Sequence, residues 1–172
     1  MILFFINAFV FGMSTKFADL LDEHGLVWFK GADILFGFIW GILFCFQLFD
    51  NIFASFYLAL LFHWIVRGKI DYPNHRIATI IILITTLFIL PELDWLLFGV
   101  IFFVFISMGL LNDNNLMRKI VFSKYNLFVI LVLVLLSLLV NNLYWLVLLS
   151  FILNSLGYQL VKKVWQNIVL SL

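Results

Sequence analysis

Charge is what this chain has least of. Only 11% of its 172 residues are Asp, Glu, Lys or Arg, against about 25% in a soluble domain. With 66% hydrophobic residues and a mean hydropathy of +1.19, no soluble fold of this size buries enough apolar surface, so lipid is the expected solvent. Cysteine is nearly absent. Cys45 stands alone, which excludes an internal disulfide, and within its apolar block it is expected to be a small packing residue. The net charge of +1 gives no electrostatic reason to expect a nucleic acid partner. Met1-Ile2-Leu3-Phe4-Phe5 carries neither a basic region nor a small-residue cleavage site, so it is expected to open a retained helix. Haem, flavin and nucleotide motifs are missing, as are His-Glu-x-x-His, the P-loop and Gly-x-Ser-x-Gly.

What the chain has is apolar blocks separated by short polar segments. Seven can be counted, at roughly 2–22, 32–49, 52–66, 77–90, 95–111, 126–140 and 143–161. Backbone groups in hydrocarbon must pair internally, so the blocks are expected to be helices. The expected fold is an all-α integral membrane protein: one domain, 1–172, forming a polytopic bundle of about seven transmembrane helices, with six as the alternative. Several blocks are shorter than the ~20 residues of an ordinary span. Flanking polar residues that continue the helix into the interface would account for this, as would one re-entrant block.

If each block crosses, every basic residue falls on one side. Lys16 and Lys30 fall in the first inner segment, and Arg67, Lys69 and Arg76 in the second. Arg118, Lys119 and Lys124 fall in the third, and Lys162 and Lys163 in the tail. The opposite turns hold Asp50, Asn51, Glu92, Asp94, Asn141 and Asn142. Lys and Arg are retained on the cytoplasmic side during insertion. The pattern therefore predicts a multi-pass protein of the cell (plasma) membrane, N-terminus outside and C-terminus cytoplasmic. Tyr158 is expected in the inner aromatic belt and Trp95, Tyr144 and Trp145 in the outer one. A faint internal echo pairs Asp33-Ile-Leu-Phe-Gly37 with Asp94-Trp-Leu-Leu-Phe-Gly99, as an inverted repeat would.

The candidate chemistry lies on the basic side. At 100° per residue, Thr15, Lys16, Asp19, Asp22 and Glu23 share one face of the first helix. In the second block, Asp33, Gly37, Gly41 and Cys45 line one face at i+4 spacing, and Gly37-x-x-x-Gly41 lets another helix approach closely. Ser55, Ala59, His63 and Arg67 form a similar line in the third. The segment Arg67-Gly68-Lys69-Ile70-Asp71-Tyr72-Pro73-Asn74-His75-Arg76 is the densest polar stretch, with Gly68 and Pro73 shaping turns. Asn112 and Asp113 add oxygen ligands, and Ser150, Asn154 and Tyr158 form a polar stripe on the last helix.

These residue types suit phosphate chemistry with a hard divalent ion. Asp19, Asp33, His63, Asp71 and His75 are the candidate catalytic groups. Asp19, Asp22, Glu23, Asp71 and Asp113 are candidate ligands for Mg²⁺ or Mn²⁺. Lys16, Arg67, Lys69, Asn74 and Arg76 are candidate substrate-binding groups. The expected function is a small membrane enzyme, a metal-dependent lipid phosphotransferase or hydrolase acting on a phosphate-containing head group at the cytoplasmic interface. A small-solute or ion transporter is the alternative, and a non-catalytic subunit or lipid-binding scaffold is a third. Membrane lipids are the expected partners, with a homo-oligomer or other membrane subunits as further ones.

Overall fold

The computed structural model describes residues 1–22, 26, 28–113 and 118–170. Side chains are described over the same ranges, except that those of 118–125 and 168–170 are excluded. Among the described residues the chain is all helical, with seven helices and no strand: α1 (Ile2–Asp22), α2 (Ala32–Gln47), α3 (Asn51–Val66), α4 (Pro73–Ile89), α5 (Trp95–Asp113), α6 (Arg118–Leu139) and α7 (Tyr144–Leu170). By length and composition α1, α5 and α7 can cross a membrane, while α2, α3, α4 and the apolar part of α6 are shorter.

Helix ends follow local chemistry. The Asp50 carboxylate accepts from the Ile52 and Phe53 amides at 3.0 and 3.3 Å and opens α3. Arg67 and Gly68 close it: the Lys69 amide reaches the Trp64 carbonyl and the Gly68 amide that of Ile65. This is a Schellman ending with Gly68 at φ 65°. Pro73 stands in the first turn of α4, where its missing N–H costs nothing. The helix thus begins before the polar residues Asn74, His75 and Arg76, four positions earlier than the apolar pattern alone implied. Helices α6 and α7 likewise run past their apolar blocks, at the N-terminal and C-terminal ends respectively.

The chain divides into two compact units, interleaved in sequence. Unit 1 holds Met1–Leu48, Ile70–Leu90 and Ser150–Leu172, and unit 2 holds Phe49–Lys69 and Pro91–Leu149. In unit 1, α2 packs on α4 and on α1. The close approach of α2 and α4 depends on small residues: a Cβ at Gly37 would lie 2.8 Å from the Asn74 carbonyl oxygen, and one at Gly41 3.0 Å from Ala78 Cα. Helices α1 and α7 use a reciprocal pair. Gly12 lies against the Asn154 carbonyl, and Gly157 against that of Phe9. Two amides also join α1 to α2, Asn7 donating to the Leu43 carbonyl at 2.7 Å and Gln47 to that of Phe4 at 3.1 Å.

In unit 2, α3 packs on α5, and α5 on α6. Its core includes Phe53, Phe56, Leu61, Leu97, Ile101 and Phe105, all fully buried. At one end the Asp94 carboxylate accepts from the Leu97 amide at 3.0 Å and from the Tyr144 hydroxyl at 2.5 Å, while the Asp94 amide donates to Ser55 Oγ at 2.8 Å. Tyr144 is buried, at 2% exposure, whereas Trp95 is 72% exposed. The echo between Asp33 and Asp94 has a local cause. Asp33 lies in the first turn of α2 and Asp94 caps α5, so both are acids placed where a helix begins.

Candidate functional site

The polar face of α1 is directed into unit 1. Thr15 turns its hydroxyl back onto the Phe11 and Gly12 carbonyls, leaving Lys16, Asp19 and Asp22 to meet α4 and α7. Lys16 is buried, at 5% exposure. Its Nζ stands 3.8 Å from Asp19 Oδ2 and 5.2 Å from the centre of the Tyr158 ring. The Tyr158 hydroxyl donates to Asp19 Oδ2 at 3.2 Å. A buried ammonium is tolerable only with such partners, and here a carboxylate and an aromatic face supply them.

His75 stands between two acids. Its Nε2 is 3.5 Å from Asp19 Oδ1 and its Nδ1 3.6 Å from Asp71 Oδ1. Asp71 and His75 are four residues apart across the start of α4, and so share a face. Both separations exceed a close hydrogen bond. The rings of Trp40 and Tyr72 meet the imidazole edge-on at 6.1 and 5.9 Å. His75 and Asp19 are mostly buried, with side chains 19% and 17% exposed, whereas Asp71 is 59% exposed. The line Asp71–His75–Asp19 thus runs from the surface into the helix bundle of unit 1.

Asp22 ends α1 beside the N-terminus of α4. Its carboxylate accepts from the Asn74 backbone N–H and lies within the fields of Asp33, His75 and Asp19. Among the described residues Asp22 Oδ2 is buried without a hydrogen-bond partner, and so are both polar atoms of the fully buried Asn74 side chain. Arg76 is exposed and donates to the Asp71 carbonyl at 3.0 Å.

The remaining sequence candidates belong to unit 2. Arg67 donates to the Gly109 carbonyl at 3.0 Å and to Asp113 Oδ2 at 2.8 Å, and Lys69 stands 3.3 Å from Asp113 Oδ1. Gly109 is needed there, because a Cβ would fall on the Arg67 guanidinium. Arg67 is thereby occupied, its side chain 10% exposed. His63 is buried, its Nδ1 2.5 Å from the Leu60 carbonyl and its ring stacked on Phe105 at 5.0 Å. Glu23 lies outside the described residues.

Unit 1 thus gathers Lys16, Asp19, Asp22, Asp33, Asp71, Asn74 and His75, while Arg67, Lys69 and Asp113 form a group of unit 2. Among the described residues no three His, Cys, Asp or Glu side chains are placed to share a metal ion. Two residues were missed by sequence reasoning. Tyr158 was expected near the inner boundary and in a polar stripe buried in the bundle but was given no role in the site, and its ring and hydroxyl face Lys16 and Asp19. Trp40 carried no polar signal at all. The i+4 stripe Ser150, Asn154, Tyr158 was the available clue to the first.

No protein-family model matches this chain, and no curated protein or solved structure matches it significantly.

Proposed function

We propose that this is a multi-pass protein of the plasma membrane whose unit 1 cluster is the active site of an enzyme acting on a phosphate-containing lipid head group. The membrane reading is supported by the three long apolar helices and by large exposed side chains such as Leu87, Phe88, Phe103 and Leu139, each at least 67% exposed. Apolar surface on that scale needs a cover that water does not supply. The one-sided distribution of Lys and Arg supports a cytoplasmic site with the N-terminus outside.

The observation that carries the enzymatic reading is His75 held between Asp71 and Asp19, with buried Lys16 and Tyr158 on the same carboxylate. An imidazole titrates near neutral pH, and a flanking carboxylate orients it and stabilises its protonated form. In this scheme the attacking hydroxyl, from water or an alcohol acceptor, gives its proton to His75 as its oxygen bonds to phosphorus. The bond from phosphorus to the leaving oxygen breaks, and His75 returns the proton to that oxygen. Asp71 orients the ring, and Lys16 with Tyr158 fixes Asp19. A bound Mg²⁺ or Mn²⁺ would offset phosphate charge.

The test is turnover of labelled lipid phosphates by the protein in nanodiscs. Asp19→Asn and His75→Gln variants that unfold like wild type should lose at least about a hundredfold in rate, the lower end of acid–base contributions. Wild-type turnover by both variants overturns the proposal.

A further inference from the structure

We infer that unit 1 contains a site for one hard divalent cation where Asp22 meets the N-terminus of α4, with Asp22 Oδ2 and Asn74 Oδ1 as ligands and Asp33 adding charge. The inference deepens the proposed enzymatic reading by locating the ion that the reading employs. Its first support is electrostatic. Asp33 and Asp19 both act against the charge of the Asp22 carboxylate, with His75 offsetting them only in part, and Lys16 is already engaged by Asp19. Like charges gathered in a partly buried place call for a counter-charge.

The second support is independent of charge. Asn74 is 0% exposed, and among the described residues neither its Oδ1 nor its Nδ2 has a hydrogen-bond partner. Buried amides are nearly always satisfied, and an orphan amide is a sign of a place for a ligand, ion or water. Asn74 also gives its backbone N–H to Asp22, so its amide hangs from the point where α4 touches that carboxylate, whose Oδ2 is a second orphan.

All the donors are oxygens, which favours Mg²⁺ or Mn²⁺ over zinc. Magnesium sites commonly use one or two carboxylates and complete the octahedron with water. Such a site does not need three acidic side chains.

Mn²⁺ serves as the probe. Titration of the full-length protein in detergent, without lipid substrate, is followed by loss of the free-ion electron paramagnetic resonance signal. One ion should bind, and Mg²⁺ should displace it. Asp22→Asn and Asn74→Ala should each weaken binding at least about tenfold, the lower end of the loss seen for groups that merely support a metal site. Asp113→Asn should leave binding unchanged. Asn74→Ala keeps the backbone contact with α2, so it decides the matter if Asp22→Asn does not fold. Absence of Mn²⁺ binding, or equal binding by Asn74→Ala and wild type, overturns the inference. Turnover that persists in chelator with no bound Mn²⁺ sinks the metal site and leaves the enzyme standing. Bound Mn²⁺ without turnover of any lipid phosphate does the reverse.

Discussion

The two units bury their polar groups in different ways. In unit 2 they are mostly closed onto one another. Asp94 is taken up by Leu97 and Tyr144, and Asp113 by Arg67 and Lys69, while among the described residues Arg67 Nε and Asn112 Oδ1 are left unmatched. In unit 1 the polar groups are held near one another. His75 stands at 3.5 and 3.6 Å from its two acids, and Asn74 and Asp22 keep orphan atoms. A satisfied network stabilises a fold, whereas an unsatisfied one is a cost that persists where a ligand or a reaction makes use of it. The contrast explains why the chemistry is assigned to unit 1 and the ion pairs of unit 2 are assigned to stability.

That contrast can be broken by experiment. The largest expected effect is on rate. His75→Gln should cut lipid-phosphate turnover at least about a hundredfold, or ~2.7 kcal/mol in the barrier, while the unfolding midpoint stays near that of wild type. A loss of stability comparable to the loss of rate would show His75 to be structural. Next comes packing. Gly157→Leu forces a side chain onto the Phe9 carbonyl and should destabilise the protein by about 1–3 kcal/mol, read by thermal unfolding in detergent. An unchanged midpoint would mean that α1 and α7 do not meet at this glycine.

In unit 2, Tyr144→Phe removes the hydroxyl that donates to Asp94. It should cost about 1–2 kcal/mol in chemical unfolding without altering turnover, and a loss of turnover would break the division between the units. The smallest effect is expected at Asp113, which is 43% exposed. Asp113→Asn should cost less than about 1 kcal/mol, and that cost should shrink further at high salt.

Much of the fold was legible in the chain, and the misses have physical causes. The onset of α4 was placed too late because Asn74, His75 and Arg76 are polar, although Pro73 announces a first turn. The α2 groove was visible as Gly37-x-x-x-Gly41. Its counterpart on α1 and α7 was not, because Gly12 and Gly157 are single glycines whose meaning appears only when two helices cross. Of the residues singled out for chemistry, Lys16, Asp19 and Asp22 of α1 do come together with Asp71, Asn74 and His75 at the start of α4. Arg67, Lys69 and Asp113 share a different neighbourhood, in which they mainly satisfy one another.

The sequence by itself determined the seven helices, the apolar surfaces they expose, the small-residue face of α2 and the polar face of α1. Each of these follows from composition and a period of 3.6 residues, which is a local property. Only the tertiary structure decided that Tyr158 reaches Asp19 across 139 positions, that His75 is flanked by two acids, and that Asn74 is buried beside Asp22. Periodicity states which residues share a face but not which face it meets. That choice is made by the packing of whole helices, at contacts hundreds of atoms away along the chain, where no local pattern carries the information.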